Sequence, residues 1–366
     1  MTEAASRAAL RAVAARSLGA SAAVPVGEID SAWLLEELSA QRLTGLAVEA
    51  VAAGDLVLSP PAVDELFERH DEQLALDLRL ERLLCQVVGV LDRVSIEYRA
   101  LKGPVLAHTV YRDPALRSFG DVDVLVRDGD FDAAVDALAA LGFRRRFVEP
   151  RPGFDARFAK GACLERADGL EVDLHRTLAP GAFGLRVAHL GLFGPAPRWF
   201  PLGTTKIAGL DDDLAFVHAC FHAALGDDPP RLVPLRDVAE LAGRGVDITA
   251  ALERCAEVGC ALVIQRALAL VERELDIDLI SGTERWSAAH PPARLDRWIM
   301  NSYASGRRSY GAQAAVSFWA MTSMRDRAAF ARALALPSRD YVHARERGYL
   351  RRLGKTLGPL RDWRPR

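Results

Sequence analysis

Residues 119–126 read FGDVDVLV, and in this otherwise apolar run two aspartates, Asp121 and Asp123, stand two positions apart. On an extended strand both carboxylates leave one face while Val122 and Val124 leave the other. Strands disfavour aspartate, and like charges held close together raise each other's pKa. A second segment, LEVDLHRT, repeats the arrangement: Glu171, Asp173 and His175 share one face, with Val172 and Leu174 opposite. If the two strands are neighbours, up to four carboxylates converge. A hard divalent cation relieves such a cluster, because Mg²⁺ is held by a few carboxylates together with substrate phosphates. Two ions about 4 Å apart activate an attacking oxygen and hold a departing phosphate, which is the chemistry of phosphoryl or nucleotidyl transfer. The plainer reading is a solvated acidic strand face. The apolar company of VDVLV and the second acidic strand argue against it.

The elements that must position these residues can be read from periodicity. From about residue 30 to 92 apolar residues recur at three- and four-residue spacings, which predicts helices interrupted at Ser59-Pro60-Pro61. IEYRALKG then predicts a short strand ending in a Lys102-Gly103 turn, and PVLAHTVY a helix with Pro104 in its first turn. The loop YRDPALRSFG leads into the aspartate strand. FDAAVDALAALGF predicts a helix with Gly142 at its left-handed cap, and ACLERA and LEVDLHRT a hairpin turning at Asp168-Gly169. Beyond Asp211 the pattern is helical again. The expectation is an α+β chain: an N-terminal helical region over 1–93, a small mixed sheet with helices over 94–210, and a C-terminal helical region over 211–366.

Composition narrows the function classes. The chain has 366 residues, half of them apolar, and a formal net charge of −2, which argues against a chain-wide nucleic-acid footprint. Five scattered cysteines read as reduced thiols, and no run of apolar residues is long enough to span a bilayer, so a cytoplasmic protein is expected. The Arg-bearing, Ala-rich N-terminus reads as a surface helix rather than a targeting peptide. Of 47 basic residues only Lys102, Lys160, Lys206 and Lys355 are lysine. In a chain so biased towards arginine, a lysine at the end of a strand stands out.

LKGPVLAHTVYRDPALRSFGDVDVLV resembles the signature of an uncharacterised nucleotidyltransferase family of the polymerase-beta-like superfamily, and EVDLHRTL is similar to its later acidic strand. The resemblance implies a nucleotidyltransferase-type fold in which Asp121 and Asp123 bind Mg²⁺ or Mn²⁺ with the triphosphate of an NTP, ATP being the expected donor. It also implies that Asp173 binds the ion at which the acceptor oxygen is activated. Better-known members carry Gly-Ser where this chain has Lys102-Gly103; Gly103 still permits close backbone approach, and Lys102 offers a point charge to a phosphate. Such relatives often lie beside gene clusters for modified peptides, so the implied acceptor is a peptide or a small hydroxyl compound, and less favourably tRNA. A kinase-like transfer on the same fold, or nucleotide binding without turnover, are the alternatives.

Other residues carry two readings each. Arg117 either clamps a phosphate or pairs with Asp113 or solvent, and His175 either orients Asp173, contacts substrate or simply supports the site. Glu171 is a possible accessory carboxylate. HACFH has the spacing of two zinc-binding histidines, but Ala219 replaces the glutamate such sites use and no third ligand is evident. His218 and His222 are instead expected to line the cleft against the sheet. The loop PRPGFDARFAK could close over nucleotide, and the basic C-terminal tail from Ala344 reads as a solvated face.

Overall fold

The computed structural model describes residues 2–19, 29–227, 229–303 and 310–345. Among the described residues four helices precede the sheet: α1 (Thr2–Ala15), α2 (Ser31–Ala40), α3 (Thr44–Ala52) and the long α4 (Pro60–Arg93). The sheet region follows as β1 (Tyr98–Leu101), α5 (Gly103–Thr109), β2 (Val122–Val126), α6 (Phe131–Ala139), β3 (Arg144–Arg145), α7 (Phe154–Phe158), β4 (Gly161–Glu165), β5 (Glu171–His175), α8 (Gly181–Val187), β6 (Arg198–Leu202) and β7 (Thr205–Gly209). Then come α9 (Asp212–Leu225), α10 (Leu232–Gly243), α11 (Ile248–Glu257), α12 (Ala261–Leu275), α13 (Glu284–Ala289), α14 (Arg294–Asn301), α15 (Tyr310–Ala320), α16 (Met324–Ala335) and α17 (Arg339–Arg345). The fold is mixed α and β, as the periodicity predicted. Residues 346–366 of the basic tail lie outside the described residues.

The seven strands form one mixed sheet in the order β3-β4-β5-β2-β1-β7-β6. β2 runs antiparallel to β1, with Leu101 opposite Asp123, and parallel to β5, with Asp123 opposite Asp173. Strand alternation then separates two faces. Val122, Val124 and Val126 of β2 and Val172 and Leu174 of β5 join one core with Leu84, Val87 and Leu91 of α4 and Phe131 and Leu138 of α6. Leu101 and Leu125 face the opposite way, into the core that contains Leu214, Val217 and Phe221 of α9. The aspartates therefore open on the α9 face because valines fill the α4 face.

The helices before and after the sheet share that second core. Val13 of α1, Leu34 and Leu38 of α2 and Leu46 of α3 are buried with Leu235 of α10 and Ile264 and Leu268 of α12. Close approach fixes the junction with the sheet: a Cβ on Gly45 would lie 2.1 Å from the carbonyl oxygen of Ala115. The loop that leads to Asp121 is thus pressed against α3.

Two features depart from the sequence reading. The hairpin β6–β7 extends the sheet at an edge, where Pro201 is tolerated because it removes no interior ladder bond. PRPGFDARFAK is not an open loop; it contains α7, whose Phe154 and Phe158 pack on Phe330 of α16. Among the described residues, no helix is long and apolar enough to cross a membrane.

Candidate active site

The register of β2 and β5 brings Asp123 and Asp173 to the same level, side chains to the same side. Asp123, Asp173 and His175 each offer one ligand atom, and these atoms all lie within 4.8 Å of one another. Asp121 lies one residue before β2 and is half-buried; it interacts electrostatically with Asp123 and Asp173 without belonging to that group of three. Two close carboxylates suit a hard divalent cation such as Mg²⁺ or Mn²⁺, with the imidazole beside them.

Lys102 is held over this cluster by its backbone. It follows β1, takes φ 32°, and precedes Gly103 at φ 25°. Few residues other than glycine occupy positive φ, and here the strand must turn into α5 within two residues. Gly103 is needed for a second reason: a Cβ there would come within 3.3 Å of Phe119, in the loop before Asp121. The ammonium of Lys102 lies 2.7 Å from Oδ1 of Asp123, and His175 Nε2 lies 2.9 Å from the same oxygen. Lys160, just ahead of β4, stands 4.0 Å from Asp173.

These contacts set the protonation states. Burial opposes ionisation of Asp123, but the Lys102 charge and the His175 hydrogen bond outweigh it and hold the carboxyl well below its usual range. Asp121 moves the other way: the neighbouring Asp123 charge raises its pKa, and burial adds to the rise. Burial would lower the pKa of Lys102, yet Asp123, Asp121 and Asp173 raise it, so it stays protonated. His175 is depressed by burial and by Lys160, which leaves a neutral ring whose Nε2–H donates to Asp123. The expectation that a metal ion alone relieves the paired aspartates is therefore corrected. Lys102 already supplies a counter-charge.

Other predicted residues fall out differently. Arg117 does not pair with Asp113: it forms a buried two-bond pair with Asp237 of α10, both contacts at 2.7 Å, and also donates to the Ser118 carbonyl. Tyr111 donates to the same Asp237 at 2.8 Å, so this guanidinium ties the loop to α10. His175 orients Asp123 rather than Asp173. Glu171 is half-buried and pairs with Arg146, away from the group of three. His218 is buried edge-on to His175 with ring centroids 6.4 Å apart, and His222 lines the cleft beside Lys102. Burial, followed by the Lys102 charge, pushes both histidines well below the usual imidazole range. They line the cleft as expected, and neither joins a metal-capable group among the described residues.

A cavity of about 230 Å³ opens over Lys102, Gly103, Asp121 and Asp123 and is closed elsewhere by Arg42, Arg231 and Pro234. Two residues, one in the cavity wall and one supporting it, carried no signal in the sequence. Arg42 comes from the α2–α3 turn, and Asp77 of α4 accepts a hydrogen bond from the Phe119 N–H at 3.1 Å, steadying the approach to Asp121.

Residues 27–276 match the family described as "Uncharacterised nucleotidyltransferase", which covers more than half of the sequence. The chain belongs to this nucleotidyltransferase family. The matched segment runs from the N-terminal helices to α12, so the residues closing the cavity lie inside the family unit with the strands. No curated protein matches the chain. Among solved structures, an antigenic nucleotidyltransferase-like protein from Paracoccidioides brasiliensis aligns at a TM-score of 0.34 and 14% identity, covering 55% of this chain and 95% of that one.

Proposed function

We propose that the protein transfers a nucleoside monophosphate from an NTP, with ATP the favoured donor, to an acceptor hydroxyl. The observation that carries this reading is the in-register pair Asp123 and Asp173 on adjacent strands, with Asp123 and Asp121 lining a cavity that Lys102 also lines. Asp123 and Asp173, with Asp121 beside them, would hold Mg²⁺ or Mn²⁺, which neutralises phosphate charge and lowers the pKa of an attacking oxygen.

The residues of the chain supply the rest. Lys102 places a fixed cation beside Asp123, where it offsets charge on the reacting phosphate. Gly103 leaves the start of α5 open to the phosphate chain. His175, neutral and donating, keeps Asp123 turned towards the cavity. The favoured acceptor is a peptide or small hydroxyl compound.

The test is label transfer with the purified full chain, Mg²⁺ or Mn²⁺, and panels of hydroxyl peptides, small alcohols and tRNA. Label from the α-phosphate of ATP enters the acceptor and pyrophosphate is released. Transfer from the γ-phosphate alone would make the protein a phosphotransferase instead. Absence of any metal-dependent NTP binding would sink the enzyme reading.

A further inference from the structure

Three arginines line the cavity over the aspartates, and they are not equivalent. Arg117 is taken up by Asp237, and Arg231 by Asp227 at 2.9 Å. Arg42 is half-buried in the cavity wall and makes no side-chain hydrogen bond or ion pair with any described residue; burial depresses its pKa, and the Asp121 charge opposes that. A guanidinium carries five N–H donors, and with no protein acceptor among the described residues those of Arg42 are left free to meet an incoming anion.

The backbone holds Arg42 there. It sits in the turn between α2 and α3 at φ 57°, a conformation that side-chain-bearing residues adopt at a cost of about 1 kcal/mol. The adjacent Gln41 accepts a hydrogen bond from the Leu232 N–H at 2.9 Å, which fixes this turn to the start of α10. Its guanidinium rests on Gly120, the residue before Asp121: a Cβ on Gly120 would lie 2.1 Å from one terminal nitrogen of Arg42. The planar fork thus faces the cavity from the wall formed by the N-terminal helices and α10. Such a fork suits two phosphate oxygens, which an ammonium does not match.

We propose that Arg42 binds the terminal phosphate of a triphosphate, so that the N-terminal helices complete the nucleotide site and distinguish triphosphate from diphosphate. The inference rests on the reading of this cavity as the donor site. The reacting phosphate belongs beside Asp123 and Lys102, and Arg42 meets the far end of the chain.

The test uses calorimetry of the full chain with Mg²⁺ and either inorganic tripolyphosphate or pyrophosphate. Arg42→Gly suits the positive φ and so removes the side chain without straining the turn; Gly120→Ala displaces the guanidinium while retaining it. Both variants are expected to weaken tripolyphosphate by roughly 10- to 100-fold, the range of a charge-assisted hydrogen-bond pair, and to leave pyrophosphate within about twofold. Arg42→Lys is expected to recover little. Unchanged tripolyphosphate binding, an equal loss for pyrophosphate, or no tripolyphosphate binding by the wild type would each overturn the assignment. Transfer of α-label by the wild type is read separately. If label is transferred while Arg42→Gly binds tripolyphosphate normally, only the role of Arg42 falls; if Arg42 behaves as expected without transfer, only the nucleotidyl-transfer reading falls.

Discussion

The Lys102 ammonium lies 2.7 Å from Oδ1 of Asp123, in a position where Asp121 and Asp173 also act on it. Lysine is thus built into the acidic cluster as a permanent counter-charge. Removing one partner of such a pair leaves the other buried and uncompensated, which typically destabilises by about 3 to 5 kcal/mol. Lys102→Met is expected to show a loss of that order in urea unfolding with chelator present. Mg²⁺ should restore part of it, because a cation held by the same carboxylates replaces the missing charge. An unfolding midpoint equal to wild type in chelator would show that the pair is not the counter-charge.

The carboxylates are expected to separate by position rather than by residue type. Asp123→Asn and Asp173→Asn alter the two in-register groups and should each lower α-label transfer by at least about 100-fold with far-ultraviolet circular dichroism preserved. Glu171→Gln changes a half-buried group already paired with Arg146 and should stay within about threefold of wild type. Equal losses at Glu171 and Asp173 would contradict the assignment.

Arg117 and Asp237 form a buried pair; burial would lower the arginine pKa, but Asp237, with Tyr111 and Asp121, raises it. Arg117→Ala is therefore expected to act on the fold, at about 3 to 5 kcal/mol, because it strands Asp237 and loosens the loop before Asp121. Arg117→Met combined with Asp237→Leu should recover part of that loss. A variant with wild-type stability and selectively weakened NTP binding would return Arg117 to the phosphate.

The acid-bearing strands were legible because alternation is a local rule: i, i+2 spacing alone places Asp121 with Asp123 and Asp173 with His175. Lys102 was legible for a compositional reason, since lysine is rare in this chain. Arg42 was not. It is one of 43 arginines, and its meaning depends on a turn fixed to α10 and a guanidinium laid on Gly120. The partner of Arg117 lies 120 residues away in sequence, so local pattern favoured Asp113 instead. Hairpin β6–β7 was hidden by Pro201, which only an edge position allows. Local periodicity sees faces; it does not see which distant helix closes them.

Asp77 makes the stability of the site dependent on pH. It is buried in α4 and accepts from the Phe119 N–H and from Gln73, yet burial outweighs these bonds and raises its pKa from 3.8 to about 6. The folded chain therefore keeps this proton to a higher pH than the unfolded chain, and unfolding releases it across the interval between those values. The contribution is present in full below about pH 4 and is lost as pH rises through about 6. Two units correspond to about 3 kcal/mol as an upper bound, and about 2 kcal/mol is the working expectation. Asp155 is also raised to about 6 by burial and adds the same sign, so the wild-type slope alone does not isolate Asp77. Asp77→Asn keeps an oxygen for the Phe119 N–H and removes the titration. Denaturant unfolding at intervals from pH 4 to 7 should show a shallower decline in the variant than in the wild type, and parallel curves would show that Asp77 does not titrate in this range.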